Sequence, residues 1–379
     1  MSMDPQSRQY LRVARHYKSL PVGPSRILLQ SHLGSVLLQE PWATGVLHDL
    51  VPLLNGQRGW DDIVTHMDTL GFSQEDVVAV LNTLEQQGLL ERIDEDARPA
   101  LGQEESVRYG DPLTVFAHFS RNEVQVQKTL LESRVLIVGL GTMGSNLARV
   151  LALSGVGCIG GVDERLVGDQ DLYGDTWYTP DELNQQRALI VAQKVKVTNP
   201  QVEFRPFPES FLQVDSLTGL LADYDVAVLA VDEYVPQAYE TMNEACLKTG
   251  TIWTSSRLQG FEVEVGPTVI PHETPCFTCF TSRRRANTRD YEDRMLLESY
   301  AEEHPFHWES LPVSLGGQVA GLEIIKLLTG CITAATLGKV FSLHLMTLES
   351  RLAPVLKLPR CPQCSPGASR PKPVIWGGG

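Results

Sequence analysis

The spacing of apolar positions changes character near residue 130. Ahead of it, two short apolar runs, Ile27–Leu29 and Val36–Leu38, flank Gly34-Ser35 and predict a β-hairpin. Three helical patterns follow, over residues 42–55, 60–69 and 74–87. In the third, Ser73 and Asp76 form a capping-box pair, and Val77, Val80, Leu81 and Leu84 recur at helical spacing. Gly88 closes that helix, and Leu89–Ile93 predicts a further strand. Two strands, three helices and a strand outline a small winged-helix-like α+β domain over 25–95, preceded by a loosely ordered arm over 1–24. Residues 96–130 carry Pro99, Gly102, Gly110 and Pro112 and read as a connector with one short helix.

Beyond Ser133 the pattern alternates between short buried-strand runs and helices. Val135–Val138, Ile159–Val162, Val202–Phe204 and Val226–Ala230 are separated by helical stretches after Gly144 and near 180–197, 210–221 and 236–248. This rhythm predicts an α/β Rossmann-like, doubly wound core over 131–366, followed by a flexible Pro/Gly-rich tail over 367–379.

The first strand of that core runs into Gly139-Leu-Gly-Thr-Met-Gly144 and then a helix. Gly139 would allow the tight turn, Gly141 the approach of a phosphate, and Gly144 close helix–strand packing. The helix N-terminus would offer free N–H groups to an anion. Asp163, at the end of the next strand, would accept hydrogen bonds from ribose hydroxyls. NAD is the default ligand of such a fingerprint, and packing alone is the bland reading of its glycines.

Composition narrows the possibilities. The chain has 379 residues, 42% hydrophobic and 21% charged, which suits globular domains. It holds no apolar run of about 18 residues and no secretory signal, so a cytoplasmic protein with no membrane partner is expected. A formal charge of −14 disfavours nucleic acid. Residues 25–95 hold three arginines, no lysine and eleven Asp or Glu, so the winged-helix-like domain is ill suited to phosphates. An added peptide strand is the more natural ligand.

Of seven cysteines, four form the pairs Cys276-Phe-Thr-Cys279 and Cys361-Pro-Gln-Cys364. Two such knuckles complete a tetrahedral thiolate site, so structural zinc is expected on all four; a redox pair is the competing reading. Cys158, Cys246 and Cys331 sit in apolar or helical settings and read as inert thiols.

These motifs, with Leu151-Ala-Leu-Ser-Gly-Val-Gly157, Asn199-Pro200, Asp232, and Asn243, Ala245 and Cys246, resemble the ThiF/MoeB family of ubiquitin-activating-like proteins. The resemblance covers about Ser133 to Ser365. It implies a mixed-sheet nucleotide-binding core, the long-range four-cysteine zinc site, a homodimer, and ATP with magnesium at Asp232. Gly139, Gly141, Gly144 and Asp163 would complete that nucleotide site. It also implies that the charged stretch Thr281–His307 is a crossover loop, where a solvated face is the plain alternative.

Two departures bear on chemistry. Where the family carries Asn-Leu-x-Arg-Gln, this chain reads Asp171-Leu-Tyr-Gly174-Asp175, and Arg187 stands where a lysine is expected. Losing a cation and gaining carboxylates weakens a polyanion site, with Arg165 as a nearby substitute.

The 25–95 domain resembles PqqD-type peptide-recognition domains. Its peptide clamp is expected on the Ile27–Leu38 hairpin and the Asp76–Gln87 helix, through Ile27, Leu29, Val77, Val80, Leu81 and Leu84. The order of modules resembles ThiF-like partners that present a ribosomal precursor leader to a YcaO-type cyclodehydratase, which is the favoured expectation. It also resembles microcin C-type adenylating enzymes. In that alternative the chain makes an acyl-adenylate of a peptide carboxyl group, with Asp232 and Arg187 as catalytic residues. A plain sulfur-carrier activator leaves the N-terminal domain unexplained, and an NAD oxidoreductase leaves the cysteine pairs unexplained.

Overall fold

The computed structural model describes residues 9–365 except 24, 32–33, 41–44, 95–100, 121, 173–175, 211, 233–234, 291–292, 294–295 and 297–312. Two compact units meet in sequence between Lys128 and Thr129. Among the described residues, no helix is long and apolar enough to cross a membrane.

The first unit carries more strand than its sequence pattern suggests. Residues 9–23, read as an arm, form β1 (Gln9–Val13) and β2 (Lys18–Gly23). They are followed by β3 (Arg26–Ser31), β4 (Gly34–Gln39), α1 (Val46–Leu50), β5 (Asn55–Gly59), α2 (Trp60–Thr69), α3 (Gln74–Gln86) and β6 (Leu90–Asp94). Two three-stranded sheets result, in the orders β5-β1-β6 and β2-β3-β4. The hairpin is present, but Ser31 pairs with Gly34, so Gly34 and Ser35 belong to the strand rather than to the turn.

β1 is central because it contributes both packing and charge. Leu11 is fully buried, and Arg12 stands opposite Glu91 of β6 at 2.6 Å while reaching Glu123 at 2.8 Å. On β3, Ile27 and Leu29 point inward at 1% exposure each, as period-2 alternation requires. They meet Val77, Leu81 and Leu84 of α3 in one apolar core. α3 starts at Ser73, whose hydroxyl accepts the Asp76 N–H at 3.5 Å.

The expected connector holds α4 (Gln103–Arg108), α5 (Gly110–Phe116) and the start of α6 (Glu123–Glu132). Pro112 lies in the first turn of α5, where no intrahelical donor is needed, so it does not break the helix.

The second unit is built on β7 (Arg134–Val138), α7 (Thr142–Ser154), β8 (Cys158–Val162), α8 (Arg187–Thr198), β9 (Glu203–Phe207), α9 (Val214–Leu221) and β10 (Val226–Ala230). It continues through α10 (Pro236–Thr249), β11 (Ile252–Gln259), β12 (Glu262–Val265), α11 (Phe277–Asn287), α12 (Ser314–Thr329), β13 (Lys339–His344) and β14 (Ser350–Pro354). The sheet order is β14-β13-β12-β11-β10-β7-β8-β9. From β11 to β9 every pairing is parallel; β12, β13 and β14 are antiparallel, so this is the expected α/β Rossmann-like core with a mixed sheet.

All five residues of β8 and of β10 are buried, which is why these strands read as continuous apolar runs rather than as alternation. Leu229, Val138 and Val162 lie side by side in register. The segments leaving β10, β7 and β8 therefore emerge together at one sheet edge, and that edge carries the candidate site.

Candidate nucleotide site and four-cysteine centre

β7 delivers the glycine loop to the carboxyl edge of the sheet. Gly139 has φ of 91°, a left-handed conformation that favours glycine, and its N–H donates to Val162 O at 2.9 Å. Gly144 lies in the first turn of α7, where a Cβ would fall 1.8 Å from Gly139 O. A Cβ on Gly141 would fall 1.9 Å from Asp232 Oδ2. The backbone approach that Gly141 permits is thus made here by a carboxylate of the chain itself.

Asp232 follows β10 and turns back over the N-terminus of α7. Its oxygens accept the N–H of Thr142 at 2.6 Å and of Met143 at 3.0 Å. These donors have no partner within the helix, and the dipole favours a negative charge there. Burial raises the Asp232 pKa above the ordinary carboxylate value, with the two N–H donors and the arginines 187 and 165 pulling the other way.

Asp163, fully buried at the end of β8, is equally engaged. Oδ2 accepts the Leu140 N–H at 2.8 Å and Oδ1 accepts the Arg165 N–H at 2.9 Å. The Arg165 side chain lies 3.5 Å from Oδ1 and the Arg187 guanidinium 3.3 Å from Oδ2.

Arg187, at the first turn of α8, is 2% exposed and grips Asp171 through Nε at 3.1 Å and Nη2 at 2.8 Å. Burial alone would lower its pKa; Asp163 and Asp171 more than offset this and hold the guanidinium charged. The sequence pattern flagged Asp171 only as an added negative charge, whereas the structure makes it the bidentate partner of Arg187. Gly174 and Asp175 lie outside the described residues.

Tyr178 carried no motif and was missed. Its hydroxyl donates to Leu140 O at 2.5 Å, so Tyr178 and Asp163 both hold the backbone of Leu140 in the glycine loop. Burial drives the phenol pKa well above its usual value, so it remains a donor at neutral pH. Asn199 is a packing residue: its side-chain amide donates to Ala152 O at 2.8 Å and joins α8 to α7.

The four motif cysteines come together. Cys276 caps α11, and Cys361 and Cys364 sit on a turn closed by the Ser365 N–H to Cys361 O. Sulfur separations are 3.9 Å for Cys276–Cys279, 3.6 Å for Cys276–Cys361 and 3.7 Å for Cys279–Cys364. A tetrahedron with metal–sulfur bonds of about 2.3 Å has edges near 3.8 Å, so the cluster could hold a metal such as zinc. The Leu358 N–H points at Cys279 Sγ at 3.4 Å, and Asn243 Oδ1 accepts the N–H of Phe277 beside the knuckle. Cys158 and Cys246 are buried thiols, and burial raises the pKa of both.

The expected peptide clamp requires correction. Ile27, Leu29, Val77, Leu81 and Leu84 are between 0 and 3% exposed inside the first unit's own core, and Val80 packs against that core. Helical and strand periodicity identified a buried face, and that face is filled by the chain itself. Exposed apolar side chains lie instead on the outer face of β2-β3-β4, where Leu20, half-buried Leu28 and Leu37 stand opposite one another. On α11, Arg284 lies 3.7 Å from Glu264, which also pairs with buried Arg257.

Comparison with known proteins places the sequence in a family. The model of the ThiF family matches residues 114–365. A sulfur carrier protein adenylyltransferase of Thermus thermophilus is 27% identical over 247 residues, covering 63% of this chain and 84% of the relative. The sulfur carrier protein ThiS adenylyltransferase of Escherichia coli is 25% identical over 248 residues, covering 65% and 91%. Among solved structures, E. coli MccB with AMPCPP and MccA is similar with a TM-score of 0.70 at 14% identity, covering 94% of this chain and 99% of that one. PaaA gives a TM-score of 0.69 at 18% identity, covering 90% and 99%.

Proposed function

The chain belongs to the ThiF family, and from that premise we propose that it binds a precursor peptide and activates a carboxyl group of it with ATP, as an acyl-adenylate. The observation carrying this reading is the convergence of Asp163 and Asp232 on backbone N–H groups of one glycine loop, from the ends of β8 and β10. Two curated relatives that align with the chain across most of their own length are adenylyltransferases.

In this reading the ribose sits on Asp163 and the phosphates on the Gly139–Gly144 loop, with Arg187 and Arg165 as the cations nearest by. A carboxylate oxygen of the peptide attacks the α-phosphorus, the bond to the β-phosphate oxygen breaks, and pyrophosphate leaves. Arg187, once a phosphate has taken the place of Asp171, stabilises charge that develops there. Asp232 is the residue that would hold magnesium, which would neutralise phosphate charge. Zinc on the four cysteines would tie the chain end to the core and take no part in the chemistry.

A peptide ligand is supported by solved structures of the similar fold, which include MccB in complex with N-formylated MccA. We place the peptide on the β2-β3-β4 sheet, whose outer strands offer backbone edges and whose outer face carries Leu20, Leu28 and Leu37. A homodimer in the cytoplasm, where thiols stay reduced and ATP is supplied, completes the proposal.

One observation favours a second reading. Arg187 is already neutralised by Asp171, which suits a leader-binding scaffold that presents its peptide to a YcaO-type cyclodehydratase without turning nucleotide over. Hydroxylamine trapping separates the two. An activated carboxyl is captured as a hydroxamate detectable by mass spectrometry, and a scaffold yields none.

A further inference from the structure

At the carboxyl edge of the sheet, both features that attract an anion already hold one belonging to the chain. The α7 N–H groups hold Asp232, and the Arg187 guanidinium holds Asp171. The second contact is the more committed. Three contacts between 2.8 and 3.1 Å join Arg187 to Asp171, both side chains are 2% exposed, and Asp163 takes a further position at 3.3 Å. Among the described residues of this network, the carboxylates Asp163, Asp171 and Asp232 outnumber the guanidinium groups of Arg165 and Arg187.

The consequence is electrostatic. An incoming phosphate chain meets a guanidinium whose charge is already balanced, behind a net negative wall, in a setting where water screens poorly. A second or third phosphate adds negative charge without gaining a cation. Phosphate recognition here is therefore an exchange of anions, in which the nucleotide must displace a resident carboxylate.

We propose that Asp171 is a specificity-determining residue of this site: by occupying Arg187 it limits how strongly the site prefers a tri- over a monophosphate nucleotide. Asp171 acts through Arg187 and is a positioning residue in that sense. The proposal rests on reading the site as a nucleotide site, and the experiment keeps the two separable.

The full-length protein is titrated with AMP and with ATP, magnesium-free, as wild type, Asp171→Asn and the double variant Asp171→Asn/Arg187→Gln. The wild type is expected to prefer ATP over AMP by less than about tenfold, and Asp171→Asn to raise that ratio by about tenfold or more. The double variant should lose the gain, because the gain comes from the freed guanidinium. The ratio is the informative readout, since loss of fold lowers both affinities and does not raise one over the other. A wild type that binds ATP while Asp171→Asn leaves the ratio unchanged overturns this inference and spares the adenylation reading. Nucleotide binding by none of the three proteins overturns both. If Asp171→Asn does not fold, the wild type decides alone, and a preference for ATP beyond about tenfold refutes the proposal.

Discussion

Asp232 and Thr142 are bound to each other across 90 residues of sequence, carboxylate to backbone N–H at 2.6 Å, at the point where β10 ends and α7 begins. The bond caps α7 as an incoming phosphate would, and it depends on the missing side chain at Gly141.

Gly141→Ala therefore tests the loop directly. Its Cβ would sit 1.9 Å from Asp232 Oδ2, so the carboxylate must leave the helix end. We expect a loss of about 1–3 kcal/mol in stability and nucleotide binding weakened by about tenfold or more. Thermal denaturation beside a titration checks both; a variant indistinguishable from wild type would show that the close approach has no energetic weight.

Arg187→Ala should be among the costliest single changes in the second unit. It strands Asp171 and Asp163 in a buried setting, with an expected cost of about 3–5 kcal/mol. Replacing both partners, as Asp171→Asn/Arg187→Gln, should recover part of that loss, because the uncompensated charge goes too. A denaturant-unfolding cycle measures the difference, and equal destabilisation by the single and double changes would contradict it.

The four cysteines predict one tightly held metal per chain. Elemental analysis should return one zinc, and cobalt substitution should give thiolate-to-metal charge-transfer absorption. Cys279→Ser should lower both metal content and melting temperature, since the site joins α11 to the segment around Cys361. Retention of the melting temperature after complete chelation would remove the structural role.

On the first unit, Leu37→Glu and Leu84→Glu should separate binding from folding. Leu84 is 3% exposed in the core and its replacement should unfold the unit, at about 3 kcal/mol or more. Leu37 is 51% exposed, and its replacement should weaken precursor-peptide affinity with the melting temperature unchanged. Undiminished affinity in Leu37→Glu would move the peptide off the β2-β3-β4 face.

What was legible in the sequence was local. The strand–glycine–helix order from Val135 through Gly144 and the two C-x-x-C knuckles are short-range patterns whose geometry follows from the residues present. Partner choice was not legible. Nothing in spacing says that Arg187 selects Asp171, or that Tyr178 reaches Leu140 from 38 residues away. β1 and β5 escaped notice for a related reason. Asn55-Gly-Gln-Arg-Gly59 has little strand propensity of its own and is a strand because β1 lies beside it. The clamp residues show the complementary error. Periodicity in Val77, Leu81 and Leu84 marks a face that must be covered, without saying whether the chain or a ligand covers it.

The central claim is that this site activates a carboxyl group with ATP. The most direct test is exchange of labelled pyrophosphate into ATP by the purified protein, with its candidate precursor peptide present and absent. The account predicts peptide-dependent exchange that is lost in Asp232→Ala while the protein stays folded. Absence of exchange alongside tight peptide binding would contradict it and leave the scaffold reading in its place.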